Sequence, residues 1–274
     1  MPELPEVEVC RRGLLPEVEG QVIRGAAVRA PSLRLPLAPG LGETLAGQRV
    51  ATIRRRGKYL LLDCQGGGED GCLIIHLGMS GSLRFVALDA PAGRHDHVDL
   101  IFAHCILRLA DPRRFGVVLW QPASAPPPAL LAGLGIEPLG DELTGAWLFA
   151  ATRGRSAAIK PMLMDSHLVV GIGNIYAAES LFRAGISPLR AAGRVGRERC
   201  GRLVSAIRAT LTDAIAAGGS SIRDYVHSDG GAGCFQVDCA VYGRAGEPCR
   251  RCDGTVRQLR QGGRSTFYCP ACQH

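Results

Sequence analysis

Lysine is almost missing from this chain: of 32 basic residues only Lys58 and Lys160 are lysines, and the rest are arginines. Amine chemistry therefore has few carriers, those two side chains and the chain terminus. No apolar run approaches the roughly 20 residues of a membrane-spanning helix, and the acidic start carries no apolar signal segment. We expect a cytosolic chain, in which thiols stay reduced, so eleven cysteines do not form a disulfide framework. No internal repeat is present. GIGNIYA at 171–177 lacks the third glycine of a dinucleotide-binding fingerprint, which argues against a nucleotide cofactor. What remains is a chain of 274 residues, 46% apolar, long enough for two or three domains. Its net charge of +7 and pI near 9.0 favour a polyanionic partner.

The first eight residues carry a possible chemistry. If Met1 is removed, Pro2 presents a free secondary amine with Glu3 beside it. An α-amino group titrates at about 7.7 to 8, against about 10.4 for lysine, so it is a far better nucleophile near neutrality. Residues 3–15 (ELPEVEVCRRGLL) place acids before arginines and spread apolar Val7, Leu14 and Leu15, which predicts a helix whose positive dipole end lies at Pro2. The alternative is a frayed terminus whose acids only cap that helix.

Up to about residue 120, short apolar runs alternate with glycine turns, which predicts a β-sandwich after the opening helix. QPASAPPPALLAGLG at 121–135 reads as a linker, and 136–219 carries helical periods. The remainder, 220–274, is glycine-rich and ends in CRRC and CPAC, with Cys249, Cys252, Cys269 and Cys272 in two pairs 16 residues apart. Four thiolates at this spacing close a tetrahedral structural zinc site around a hairpin; iron could use the same ligands. HDHVD offers His95, Asp96, His97 and Asp99, but HxH is a weak metal signal and strand alternation predicts Asp96 on the face opposite the other three. Read alone, RRRGK at 54–58 is a solvated basic turn, Met79 a core methionine and Arg264 a solubilising turn arginine.

PELPEVE at 2–8, extended to RRGL at 11–14, resembles the start of bacterial formamidopyrimidine-DNA glycosylase, the base-excision enzyme for oxidised purines. The resemblance runs through RGK, HLGMSGSLR, ADPRRFG, HDHVD, GNIYA, SSIRDYV and GGRSTFYCP to the last cysteine. It implies an α+β multidomain fold: an N-terminal β-sandwich with its helix (1–120), a linker, a helix–two-turn–helix DNA-binding domain (136–219), and a lesion-capping loop with a zinc-finger hairpin (220–274). It makes Pro2 the nucleophile, Glu3 a proton donor to the opening sugar, and Lys58 and Arg264 proton donors in strand cleavage. Met79, Arg114 and Phe115 fill the gap left by an everted base, and His95, Asn174, Lys160 and the loosely matched Arg155 contact DNA. The implied cofactor is one structural Zn2+. The implied partner is damaged double-stranded DNA, met by a monomer in the bacterial cytosol and nucleoid with no membrane attachment. The chain departs from the family pattern at His167, where lysine is common, and at Ala178, where a polar residue is usual; both put local DNA contacts in doubt. Two other readings are an endonuclease VIII-type glycosylase for oxidised pyrimidines, which usually begins PEGPE, and a catalytically silent DNA-binding protein, which a retained Met1 would favour.

Overall fold

The computed structural model describes residues 2–219 and 239–274. The loop expected to close over an everted base, 220–236, lies outside the described residues. The described chain forms two compact units, residues 2–132 with Gly218 and Gly219, and residues 133–217 with 239–274.

The first unit opens with α1 (Leu4–Val18). Glu3 is its N-cap, in a reciprocal capping box with Glu6, and proline in the first turn suits a start where the missing N–H costs nothing. Leu4, Val7, Cys10, Leu14 and Val18 are buried at helical spacing. There follow β1 (Gly25–Val28), α2 (Leu41–Leu45), β2 (Arg49–Arg56), β3 (Tyr59–Gln65), β4 (Gly71–His76), β5 (Ser82–Val86), β6 (Asp96–Ile101), β7 (Ile106–Ala110), β8 (Val117–Pro122) and the short α3 (Ala129–Ala132). The strands make two antiparallel sheets in the orders β1-β6-β7-β5 and β2-β3-β4-β8. Alternate residues of both sheets, Leu60, Leu62, Leu73 and Ile75 from one and Val98, Leu100, Leu107 and Leu109 from the other, join the α1 stripe in one core. The β-sandwich is as the sequence predicts.

The second unit contains α4 (Gly145–Thr152), α5 (Ile159–Leu163), α6 (Asn174–Ala184), α7 (Arg197–Ala216), β9 (Arg257–Gln261) and β10 (Arg264–Tyr268). Gly173 caps α6 and Gly185, at φ 69°, ends it. One face of α6, through Tyr176, Ala177 and Leu181, packs with α7 residues Leu203, Ile207 and Leu211. Its other face, Ala178 and Phe182, packs with Val241, Val256, Phe267 and Cys269 of the terminal hairpin. Ala178, one of the two departures from the family pattern, is 1% exposed and packs against this hairpin.

Candidate active site and nucleic-acid interface

In the first unit, Pro2 is buried just ahead of α1, and Glu3, in extended backbone, is 2% exposed. The backbone N–H of Glu3 donates to Oε2 of Glu6 at 2.8 Å, which sets the first turn. Further along α1, the Glu8 carboxylate accepts from Arg11 (2.8 Å), Arg12 (3.0 Å) and Arg55 (3.1 Å). Burial pushes this carboxyl up, but the three guanidinium groups outweigh it and hold it at about 2. Arg55 also donates to the Gly57 carbonyl at 3.0 Å. Gly57 (φ 57°) and Lys58 form the two-residue turn between β2 and β3. The helix carrying Pro2 and Glu3 is thus fastened to the Lys58 turn through Glu8 and Arg55. Of the four cations in RRRGK, read from the sequence as a solvated turn, Arg55 is drawn back in this way and Arg54 is paired with both oxygens of Asp63.

His76 ends β4 near Lys58, with its ring 4.7 Å from that of Tyr59. Its Nδ1 accepts the Gly78 N–H at 3.0 Å, so the neutral ring carries its proton on Nε2. Burial, then the charges of Lys58 and Arg34, push its pKa down to about 4. Met79 follows in the tight turn after β4, and Arg114 and Phe115 lie in the turn between β7 and β8. Met79 and Phe115 are each 43% exposed, two of the five exposed large apolar side chains among the described residues. Arg114 has a positive φ of 54°, the one non-glycine residue so placed among the described residues. The two turns interlock: Gly78 has φ 63°, and a Cβ there would lie 2.4 Å from the Phe115 carbonyl carbon.

His95 is exposed in the turn before β6. The alternation expected across HDHVD fails, because the β6–β7 register shifts between Asp96 and Val98. That irregularity brings Asp96 to the same arginine as Asp99: Arg108 lies 3.6 Å from Asp96 and 2.9 Å from Asp99, while Arg84 and Arg29 pair with the two acids from outside. His97 is buried against the Asp111 carbonyl at 2.9 Å.

In the second unit, Asn174 opens α6 and its side chain faces the hairpin, donating to the Ser265 carbonyl at 2.9 Å. Lys160 is 1% exposed, and its ammonium donates to Asn174 Oδ1 (2.5 Å), Thr266 Oγ1 (2.7 Å) and the Ser265 carbonyl (3.3 Å). A buried ammonium needs such acceptors to offset its lost hydration. Lys160 therefore ties α5, α6 and β10 together. Arg264 is exposed directly after the Gly262–Gly263 turn, whose residues have φ 54° and 78°. A cavity of about 210 Å³ is lined by Lys160, Pro161, Met164, Gln261, Gly262 and Arg264. Arg155 is exposed and donates to the Ala151 carbonyl at 2.8 Å, and exposed His167 bonds the Gly133 carbonyl at 2.7 Å.

Cys249, Cys252, Cys269 and Cys272 bring their sulfurs within 4.8 Å of one another, the one such ligand cluster among the described residues. Three of the six sulfur separations, Cys249–Cys272, Cys252–Cys269 and Cys252–Cys272, are 3.4 to 3.8 Å, close to the edge of a tetrahedron with metal–sulfur bonds of about 2.3 Å. Backbone N–H groups of Arg251 and Gly254 point at Cys249 and Cys252 sulfurs, 3.4 Å each, as thiolates require. The four cysteines are positioned to bind one zinc ion, and as they close its coordination sphere its role is structural.

Residue patterns did not single out Glu8, Arg55, His76 or Asp111. Glu8 had a readable signal, arginines three and four residues on; the others are joined only by the fold.

A helix-led β-sandwich, an α-helical unit with a glycine-opened helix and a four-cysteine hairpin are the three parts that the matching family models describe, and with them the chain is a DNA glycosylase of base excision repair. The family descriptions matching the chain are the formamidopyrimidine-DNA glycosylase N-terminal domain over 1–118, the formamidopyrimidine-DNA glycosylase H2TH domain over 134–226, and the zinc finger found in FPG and IleRS over 246–274. The chain belongs to the formamidopyrimidine-DNA glycosylase family. It is 68% identical to the formamidopyrimidine-DNA glycosylase of Dechloromonas aromatica, with all of both chains covered. It also resembles Lactococcus lactis Fpg solved with an abasic site containing DNA (35% identity, 99% of each chain, TM-score 0.89) and MutM solved with carbocyclic 8-oxo-G containing DNA (36% identity, 100% of each, TM-score 0.89).

Proposed function

We propose that this enzyme removes oxidised purines, 8-oxoguanine and formamidopyrimidines, through an imine on Pro2 and then cuts the strand by β,δ-elimination. The observation that carries the reading is the placement of Pro2, buried at the N-terminus of α1 with the Glu3 carboxyl as the next side chain. The relatives solved with 8-oxo-G and abasic DNA support the choice of substrate. With Met1 removed, the Pro2 nitrogen attacks C1′ of the damaged nucleotide, and the base leaves with the electron pair of its glycosidic bond. Glu3 donates a proton to the sugar ring oxygen as the ring opens. The resulting iminium stays cationic and withdraws electrons, so loss of a C2′ proton expels the 3′ phosphate, and a second elimination expels the 5′ phosphate.

Lys58 and Arg264 serve as proton donors in these eliminations, and Arg264 also grips flanking phosphates. Met79, Arg114 and Phe115 occupy the space the base vacates, recovering part of the few kcal/mol that eversion costs. His95, Arg155 and the N-terminal end of α6 at Asn174 meet the DNA backbone. Lys160 contributes from beneath, by holding Asn174 and the strand that begins at Arg264.

Borohydride trapping on a duplex with 8-oxoguanine opposite cytosine tests the nucleophile. The native chain should crosslink through its terminal peptide. One extra residue ahead of Pro2 turns its nitrogen into an amide, so that chain should still bind the lesion but neither cut nor crosslink. A trapped peptide containing Lys58 or Lys160 would overturn the assignment.

A further inference from the structure

We infer that Asp111 is a positioning residue for base eversion: its buried carboxylate pins together the two turns that carry Met79, Arg114 and Phe115. The inference rests on the proposal that these three residues fill the vacated space. Asp111 is 0% exposed just after β7, and its buried carboxylate is met by uncharged donors from two separate turns. Its Oδ1 accepts the Ser80 hydroxyl at 2.6 Å, in the turn of Met79, and the Arg113 N–H at 3.3 Å. Its Oδ2 accepts the Gly116 N–H at 2.8 Å, just past Phe115. Ser80 Oγ in turn accepts the Arg113 N–H at 3.2 Å, closing a small ring of bonds across the two turns.

The backbone of Asp111 extends the same connection. Its carbonyl accepts the Arg114 N–H at 3.2 Å and His97 Nε2–H at 2.9 Å, and its N–H donates to the His95 carbonyl at 2.9 Å. Asp111 therefore touches every segment of the first unit that the sequence assigned to the duplex interior, together with the His95 turn. The geometry explains an otherwise unfavourable feature, the left-handed conformation of Arg114 at φ 54°. Bonds to Asp111 on both sides of Arg114 hold it there, and this conformation sets where Arg114 and Phe115 point. Arg113, whose guanidinium lies 4.6 Å over the Phe115 ring, is held by its N–H to the same carboxylate. An exposed apolar side chain is a useful wedge only if it does not collapse onto the protein when free. Pinning both turns from below preorganises the wedge so that less freedom is lost on entering DNA.

Asp111→Asn tests this without changing size. An amide offers NH2 at one of the two oxygen positions, so it must face either the Gly116 N–H or the Arg113 N–H, and in the second case the Ser80 bond is also reversed. Base excision from an 8-oxoguanine:cytosine pair in single turnover should fall by about ten- to a hundredfold. Incision of an abasic duplex, which has no base to evert, should fall much less. Added to a Met79→Ala, Arg114→Ala, Phe115→Ala chain, Asp111→Asn should cost no more than about twofold further on the paired lesion, because the wedge it positions is already gone. Equal losses on both duplexes, or the same loss in the presence and absence of the wedge, would overturn the inference. If the triple variant itself fails to separate the two duplexes, the gap-filling reading falls instead, and that outcome is read from the triple variant alone. Should Asp111→Asn fold poorly, Ser80→Ala removes one donor and leaves the carboxylate in place; it should show the same selectivity to a smaller extent, and equal loss on both duplexes or none would again overturn it.

Discussion

Glu8 and His76 show how single residues near the Pro2 helix and the Lys58 turn depend on pH. The Glu8 carboxyl, at about 2 in the fold against 4.5 unperturbed, contributes stability that is fully present above pH 4.5 and is lost as pH falls through 2. His76 has a lowered pKa as a base, about 4 against 6.5, so on acidification the unfolded chain takes up its proton first. Its effect is level above pH 6.5 and erodes stability from there down to about 4. Urea midpoints should therefore fall in two stages, and His76→Gln should flatten the upper one. Glu8→Gln should cost about 1–2 kcal/mol at neutral pH, after discounting for solvent screening, and flatten the lower stage. An unchanged pH profile in both variants would show that these groups are not the ones titrating. Glu8 was half legible in the sequence from its i+3 and i+4 arginines, but Arg55 reaches it from a strand 47 residues away, which no local pattern encodes.

At the scale of elements, the terminal hairpin is the clearest case of a sequence dictating its own staple. A two-stranded ribbon of five-residue strands is marginal alone. The two CxxC pairs announce the metal that holds it, and GG before Arg264 announces the turn. Cys252→Ala should release about one zinc ion per chain and collapse binding to lesion duplex, since Arg264 loses its support. The first unit has its own core and should stay folded, giving a retained unfolding transition in calorimetry. Full DNA affinity without metal would sink this prediction. What the sequence hid is the seam on the other side of the hairpin. Nothing in AAIKPM marks Lys160 as buried, but the fold sets its ammonium beside Asn174, Ser265 and Thr266 as a tie between them. The β6 register shift was hidden likewise, because a bulge changes which face a residue takes without changing the apolar pattern.

Over the whole molecule, a net charge of +7 carried almost wholly by arginine points to a partner bound through its phosphates. Affinity for undamaged duplex should fall steeply with salt, and Arg264→Ala should reduce the log–log slope by about one phosphate's worth, roughly 0.9. A slope unchanged by the substitution would remove Arg264 from the phosphate contacts. The sequence by itself determined the sandwich, the helical unit and the zinc hairpin, since strand alternation, helical spacing and paired cysteines are local patterns that each demand one kind of burial or ligation. It also determined which residues could do amine chemistry, because so few amines exist. Tertiary structure alone decided which polar groups hold those residues in place: Glu8 with Arg55, Lys160 with Asn174, and Asp111 beneath the Met79 and Phe115 turns. Their meaning depends on which distant donor meets which buried acceptor, and a buried polar group is stable only when the fold supplies that partner.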